Sequence, residues 1–325
     1  MTARASVIIT NYNYANFVAE AIQSALGQTY SNCEVVVVDD GSTDSSREVI
    51  QRFGKQVIAV FKDNAGHGSA YNAGFHASKG DIALFLDADD LLDANAIQEV
   101  VRQFHYNVSS VRFRLRLVDV QGRPIGKTIP AGMPSGDLRG AVIKYGFISG
   151  PPNSGNAYAR PYLERVMPLD EADWRVAPDT VTIGLAPIYG RVVSIPAALG
   201  SYRIHAAPIG GEIPRNNQRW GHTEEYEKRR DDYAKMRVLY IRHGVTGTPA
   251  MLQTPSFLRL QLGSLIENDR PAASVRAIAW RLFFSSVAWP GYGIGPRVVS
   301  AGLGIVLALA PRPVKRWVAN KMLAY

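Results

Sequence analysis

Three apolar runs constrain this chain most: Ser6-Val-Ile-Ile-Thr10, Glu34-Val-Val-Val-Val38 and Asp81-Ile-Ala-Leu-Phe-Leu86. Continuous runs without polar alternation suit strands covered on both faces. Between the first two, Phe17, Val18, Ala21, Ile22 and Ala25 keep helical spacing as far as Leu26. A helix from Ser42 or Asp44 to Phe53, a strand from Val57 to Phe61 and a helix from Ser69 to Ser78 continue the alternation. Strands that alternate with helices build a layered α/β sheet with right-handed crossovers. The expected fold class is therefore α/β, a parallel, layered sheet flanked by helices.

A helix over Ala94 to Phe104 closes the first half, and Val111 to Val120 reads as a strand ending in the turn Gln121-Gly122. Gly122 to Pro152, rich in Gly and Pro, reads as a surface connection or acceptor-binding loop. Val181 to Leu185, the strand-like Gly190 to Ile195 and Leu199 to His205 finish the first domain. Glu224 to His243 reads as a long charged helix with Tyr226, Tyr233, Met236 and Tyr240 along one side, opening a helical C-terminal appendage. Leu282 to Ala310 carries charge only at Arg297, but Pro290, Gly291, Gly293, Gly295 and Pro296 split it. Each piece is shorter than the roughly 20 residues of a spanning helix, so an interfacial or re-entrant segment fits better. Pro313 to Tyr325 reads either as a surface-lying amphipathic helix or as an ordinary helix packed on the rest of the chain or a partner. The expected domains are 1–210, with halves 1–105 and 106–210, and a C-terminal region 211–325.

Net charge of +8 favours anionic partners. Its late basic residues, from Arg259 to Lys321, are interleaved with Trp280, Phe283, Phe284, Trp289 and Trp317, a mixture suited to a membrane interface. No helix-turn-helix, zinc-finger or RNA-binding pattern is present, so nucleic acid is not an expected partner. Cys33 is the only cysteine, which excludes an intramolecular disulfide. Met1 to Ser6 lacks the charged head and long apolar stretch of a signal peptide, so a cytoplasmic location is expected, with the inner face of the cell membrane as the candidate surface.

Chemistry concentrates at strand ends. Asp87-Ala88-Asp89-Asp90 follows the run ending at Leu86, and three carboxylates there repel one another. Either a hard cation such as Mn²⁺ or Mg²⁺ offsets that repulsion, or the acids form a solvated turn in which Asp90 or Asp93 caps the next helix. Asp39-Asp40-Gly41-Ser42-Thr43-Asp44 likewise ends a strand and opens a helix, where carboxylates can meet a nucleotide base or ribose. Turn and capping chemistry equally explains Gly41, Ser42 and Asp44. The third stretch, Asn64-Ala-Gly-His-Gly-Ser-Ala-Tyr-Asn-Ala-Gly74, has Tyr71 where a dinucleotide fingerprint needs its third glycine.

In this order and spacing, Ser6 to Asn13, Ala25 to Tyr30, Val36 to Asp44, Asn64 to Gly74, Leu86 to Asp90 and Tyr202-Arg-Ile-His205 resemble the family 2 glycosyltransferases of GT-A fold. The resemblance runs from Ser6 to about His205 and implies the GT-A form of the α/β fold, a Rossmann-like mixed sheet flanked by helices. It implies a hexosyl transfer enzyme that inverts the anomeric centre and takes a nucleoside-diphosphate sugar, with uridine diphosphate expected, in bacterial surface polysaccharide or glycolipid synthesis. It places Thr10 and Tyr12 near the donor base, Asp39 on the base, and Asp40, Asn64, Gly66, Asn72 and Ala88 around the donor. Asp87 would approach ribose and metal, Asp89 would ligate the Mn²⁺ or Mg²⁺, and His205 would complete the metal or diphosphate site. The position matching the family's base is Asp179, after Pro178 instead of the usual Glu, with Asp170, Glu171 and Asp173 as fallbacks. Tyr71 stands where relatives commonly carry Arg, and Ser154-Gly-Asn156 resembles the acceptor-side segment. Asn216-Asn-Gln-Arg-Trp220 has the Arg-Trp of processive synthases but Asn at their Gln position, so single additions to a saccharide or lipid-linked acceptor are expected. The rivals are a non-catalytic sugar-nucleotide-binding scaffold, a nucleotidyltransferase, which should carry a Gly-rich basic loop at Asn11 to Tyr14, and an NAD-dependent oxidoreductase, which needs the glycine that Tyr71 replaces.

Overall fold

The structure, a computed structural model, describes residues 3–146, 148, 150–205, 222–246, 254–288 and 294–322. Asn216 to Trp220, the break at Trp289 to Gly293 and the end Leu323 to Tyr325 lie outside the described residues.

The chain divides into two compact units, the first comprising residues 1–139 and 149–205. Its sheet joins β1 (Ala5–Asn11), β2 (Cys33–Asp40), β3 (Ile58–Lys62), β4 (Ile82–Asp87), β5 (Leu91–Leu92), β6 (Val108–Val118), β7 (Pro124–Ile129), β8 (Asn156–Ala159) and β9 (Arg191–Arg203). The order is β3-β2-β1-β4-β8-β6-β9-β5, with β7 paired to β6. The four strands β3, β2, β1 and β4 run parallel, as their apolar runs require. β8 then enters antiparallel between β4 and β6 and makes the sheet mixed.

Both faces of the parallel strands are covered. Val7, Ile9, Val35, Val37, Leu84 and Leu86 share a core with Val18, Ala21, Ile22 and Ala25 of α1 (Val18–Leu26) and Ile97 and Val100 of α4 (Ala96–Gln103). α2 (Ser46–Gln51) adds Ile50 to this core. On the other face lies α3 (His67–Ala77), whose Gly74 approaches so closely that a Cβ there would sit 2.3 Å from Ile8 Cγ2 and 3.2 Å from Val38 Cγ2. Tyr71 of α3 stacks on Phe85 of β4, ring centroids 4.0 Å apart.

The middle of the chain departs from the sequence reading at one place and gains detail at two others. Gly122 to Pro152 is not all loop: β7 folds back on β6, and α5 (Arg139–Tyr145) follows. The apolar run Val181 to Leu185 lies inside a helix, α7 (Asp179–Tyr189), which follows α6 (Arg160–Val166). Val181, Thr182, Leu185 and Ile188 are its buried side, at helical spacing. Gly190 to Ile195 and Leu199 to His205 belong largely to one bulged strand, β9, paired in parallel with β6.

The second unit comprises residues 140–148 and 206–325. It contains α8 (His222–Arg242), α9 (Pro255–Glu267), α10 (Ala272–Ala288), α11 (Ile294–Leu309) and α12 (Arg312–Met322). Leu258, Leu262, Ile266, Val275, Ile278, Leu282, Leu303 and Leu307 fill its core. Val318 and Ala319 of α12 join that core, so this helix is packed and does not lie as a free amphipathic ribbon. The tyrosine side of α8 is also used: Tyr226 and Tyr233 contact the Phe257 ring, and Tyr240 donates to the Gly146 carbonyl at 3.0 Å.

Gly74→Ala should destabilise the protein by about 1–3 kcal/mol, because α3 must lift from β1. Gly302→Ala, a helical position with open space around it, should be neutral or stabilising by up to about 1 kcal/mol. Urea unfolding midpoints read both.

Candidate active site

Parallel register decides which carboxylates meet. Asn11 lies opposite Asp39 and Thr10 opposite Asp87, so the ends of β1, β2 and β4 form one edge. In open α/β sheets this carboxyl edge is where ligands sit. Chain direction alone therefore gathers acids from positions far apart in sequence.

The two β2 acids do different work. Asp39 is fully buried and accepts from Asn11 Nδ2 at 2.8 Å and Ser42 Oγ at 2.5 Å. Asn11 Oδ1 is itself buried with no partner, an open acceptor beside Asp39. Ser42 Oγ also accepts from the Asn13 N–H at 2.9 Å, which ties the loop after β1, where Tyr12 stands 46% exposed, to that after β2. Asp40 turns the other way. It accepts from Lys62 Nζ at 2.5 Å and from the N–H groups of Ala65 and Gly66 at 3.1 and 2.8 Å. Both of its oxygens thus hold the loop leading into α3. Gly41, with φ +73°, permits this: a Cβ would fall 2.5 Å from the Asn64 nitrogen.

The acids after β4 are held by donors from the second half of the sheet. Asn153 donates to Asp87 Oδ1 at 2.8 Å, and Ser154 donates to Asp90 Oδ2 at 2.6 Å. Asp90 also accepts the Arg203 N–H at 3.0 Å and is wholly buried, so this acid of the three is not a solvated turn residue. Neither Asp90 nor Asp93 caps α4: Asp93 pairs with Arg116. Arg203, 1% exposed, ties this turn together by donating to the carbonyls of Asp89 and Val120 and to Glu20, while its guanidinium lies over Phe17. Asp89 Oδ2 lies 2.7 Å from His205 Nε2, and the His205 ring packs edge-on against Tyr14 and Phe17.

Crowding shows in the proton affinities. Burial first, then the charge of Asp89 and more weakly that of Asp179, push Asp87 up to about 7, against the pull of Asn153. Asp90 is likewise raised well above the usual carboxylate range, by burial first and then by Asp89 and Asp87. Burial pulls His67 down to about 4, so it is a neutral imidazole at pH 7, sharing a 3.0 Å hydrogen bond with Thr10 Oγ1. Tyr14 is pushed up to about 12 by burial and the three aspartates and stays protonated.

The glycines of Gly66-His67-Gly68 serve an approach within this chain. A Cβ at Gly68 would lie 2.3 Å from the Trp174 carbonyl oxygen, and one at Gly66 would lie 2.4 Å from Arg175 Cγ. The His67 N–H, first in α3, donates to the Arg175 carbonyl at 2.8 Å. Arg175 also donates to the Ala65 carbonyl at 3.0 Å and to Asn64 Oδ1 at 2.8 Å. Asn72 is spent on the same segment, bonding both Leu169 main-chain groups and Glu171. Asn64 and Asn72 therefore fasten a strap over α3. Asp179 begins α7 immediately beyond it, and its charge is felt at Asp87, Tyr71, Tyr158 and Tyr202.

Thr10, Asp39, Asp87, Asp89, His205 and Asp179 are thus gathered around one strand-end region, with Ala88 buried beneath it. The side chains of Asp40, Asn64 and Asn72 are engaged in loop anchoring. Sequence reasoning missed Asn153 and Arg203 as holders of the aspartates and Asn11 as a partner of Asp39. Their signal was positional only, since each sits within a motif whose neighbours drew attention. Among the described residues, no group of three or more His, Cys, Asp and Glu converges closely enough to hold a metal unaided.

Residues 6–162 match the family model described as Glycosyl transferase family 2. An uncharacterized glycosyltransferase of Nostoc sp. is 40% identical over 209 residues, covering 62% of this chain and 65% of that protein. A glycosyltransferase of Streptococcus pneumoniae is 33% identical over 101 residues, covering 30% of this chain and 14% of that protein. The chain thus matches less than two thirds of the length of these relatives. Among solved structures, S. aureus TarS 1-349 in complex with UDP-GlcNAc superposes with a TM-score of 0.57 at 15% identity, over 99% of this chain and 90% of that one. A mannosyltransferase from Pyrobaculum calidifontis in complex with GDP-Man and Mn²⁺ superposes with a TM-score of 0.51 at 18% identity, over 100% of this chain and 86% of that one. These two likenesses establish the fold.

Two outcomes follow from the geometry. Arg203→Met removes donors from the buried Asp89 and Val120 carbonyls and should cost about 2–5 kcal/mol in chemical denaturation. Asp87, with a folded-state pKa above its unfolded value, contributes stability that is full below about pH 4 and is lost as pH rises through 7. Ligand-free Asp87→Asn should therefore melt above wild type at neutral and higher pH, with the gap closing on acidification.

Proposed function

We propose that the chain, whose residues 6–162 match the family model described as Glycosyl transferase family 2, transfers a sugar from a nucleoside-diphosphate donor, with inversion, to an acceptor hydroxyl. The observation carrying this reading is the convergence of Asp87, Asp89, His205 and Asp179 on the edge formed by Thr10 and Asp39. Uridine diphosphate is the donor class we assign. Asn11 Oδ1, buried and open beside Asp39, offers an acceptor to a base N–H, and Tyr12 offers a ring for stacking. Asp40, Asn64, Gly66 and Asn72 act by fixing the loop around the donor.

The donor set fits a divalent cation held jointly with a ligand. Asp89 and His205 present two neighbouring groups, Asp87 presents a crowded carboxylate, and Mn²⁺ or Mg²⁺ commonly completes its shell with phosphate oxygens and water. When bound, such an ion would neutralise charge developing on the departing diphosphate. Asp179 takes the proton from the attacking hydroxyl, which makes that oxygen nucleophilic as the donor bond breaks on the opposite side. His67, held neutral, adds no positive charge and instead positions Thr10.

We assign as acceptor a saccharide or lipid-linked intermediate of bacterial surface polysaccharide or glycolipid synthesis. The C-terminal helical region, whose late segment is basic and aromatic, would make peripheral contact with the inner face of the cell membrane.

Thermal shift with a panel of nucleoside diphosphates, each with Mn²⁺, Mg²⁺ or chelator, should single out one nucleotide with a metal-dependent rise in melting temperature. Asp89→Ala should lose that shift. Asp179→Asn should keep it while transfer falls by at least about 100-fold. Equal loss of donor binding in both variants would refute the role given to Asp179, and binding without transfer in wild type would favour a scaffold.

A further inference from the structure

The net charge of the chain is confined to its end. Residues 270–325 hold 8 of the 36 Lys and Arg residues and none of the 28 Asp and Glu residues. Residues 1–269 therefore balance at 28 against 28, and the whole +8 lies in 270–325. That segment includes α10, α11 and α12.

Two of these helices are apolar on both sides. In α10, Val275, Ile278, Ala279 and Leu282 are buried, while Trp280, Phe284 and Val287 stand in solvent at helical spacing, Phe284 being 65% exposed. In α11, Leu303, Leu307 and Ala308 are buried, while Val298, Ile305 and Leu309 form an outer stripe with Val299 and Val306 beside it, Leu309 being 72% exposed. The two helices pack closely, since a Cβ at Gly304 would lie 2.8 Å from the Ala279 carbonyl oxygen. A helix apolar all round is normally covered all round. Here one side is covered by the helical core and the other is not.

Length and charge select what covers it. α11 has 16 residues, and at 1.5 Å per residue it measures about 24 Å, short of the roughly 30 Å hydrocarbon layer. Among the described residues no helix is long and apolar enough to cross a membrane. A second copy of the chain would bring an equally positive segment against this one. An anionic lipid surface brings the opposite charge, meets the exposed Arg276, Arg281 and Arg312, and accepts Trp and Phe side chains at headgroup depth.

We propose that the outward apolar faces of α10 and α11, with the arginines around them, form a docking surface that lies in the interface of an anionic bilayer without crossing it. The proposal identifies the part of the C-terminal region that makes the membrane contact suggested above, and it is independent of the transfer chemistry.

Co-sedimentation of the full chain with phosphatidylcholine vesicles, with and without phosphatidylglycerol, tests it. Binding should require phosphatidylglycerol and weaken as salt is raised. Phe284→Glu combined with Val298→Glu should lower the partition coefficient at least about tenfold. Both sites are exposed, so the helical circular-dichroism signal and the nucleotide-dependent melting shift should be retained, which separates failure of docking from failure of the donor site. No binding to anionic vesicles would overturn the proposal. So would equal binding to neutral vesicles, or a concentration-dependent dimer abolished by the double substitution.

Discussion

Three aspartates within four residues at the end of a buried strand are the constraint around which the first unit is arranged. Without donors such a turn would repel itself apart or fill with water. Asn153, Ser154 and Arg203 supply those donors from segments far along the chain. Arg203 contributes most, since it reaches Asp89, Asp90, Val120 and Glu20 from one buried position at the end of β9. The insertion of β8 beside β4 follows the same need, because the residues just before it, Asn153 and Ser154, carry the amide and hydroxyl that face Asp87 and Asp90.

Relief of the repulsion is incomplete. Asp87 and Asp90 still hold their protons more tightly than free carboxyls, because burial and mutual charge oppose ionisation. A site left in this condition gains from positive charge delivered by a ligand complex. The neutral state of His67 is consistent with this arrangement, since it leaves the edge between β1 and β4 negative.

The strap from Leu169 to Arg175 joins α3 and the turn before it to the start of α7. It is pinned at one end by Asn72 and at the other by the Gly66-His67-Gly68 turn, and α7 with Asp179 starts four residues past Arg175. The close approach of Trp174 and Arg175 explains both glycines without invoking a phosphate. A dinucleotide fingerprint and a backbone crossing ask for the same residue type. Only the partner distinguishes them.

The sequence by itself determined the parallel strands, because unbroken apolar runs at helix-length spacing have few other solutions, and it located acids at their ends, because polar residues close such runs. It also marked the C-terminal segment as basic and apolar. Tertiary structure decided what each acid does. Asp39 and Asp40 are adjacent, yet alternation along β2 turns one toward Asn11 and the other toward the loop before α3. It likewise decided that Val181 to Leu185 is helical, that α12 is packed while α10 and α11 keep outward apolar faces, and that Asp179 comes within electrostatic reach of Asp87. The physical reason is the same in each case: periodicity and composition are local, whereas burial, pairing and charge coupling belong to groups brought together across the chain.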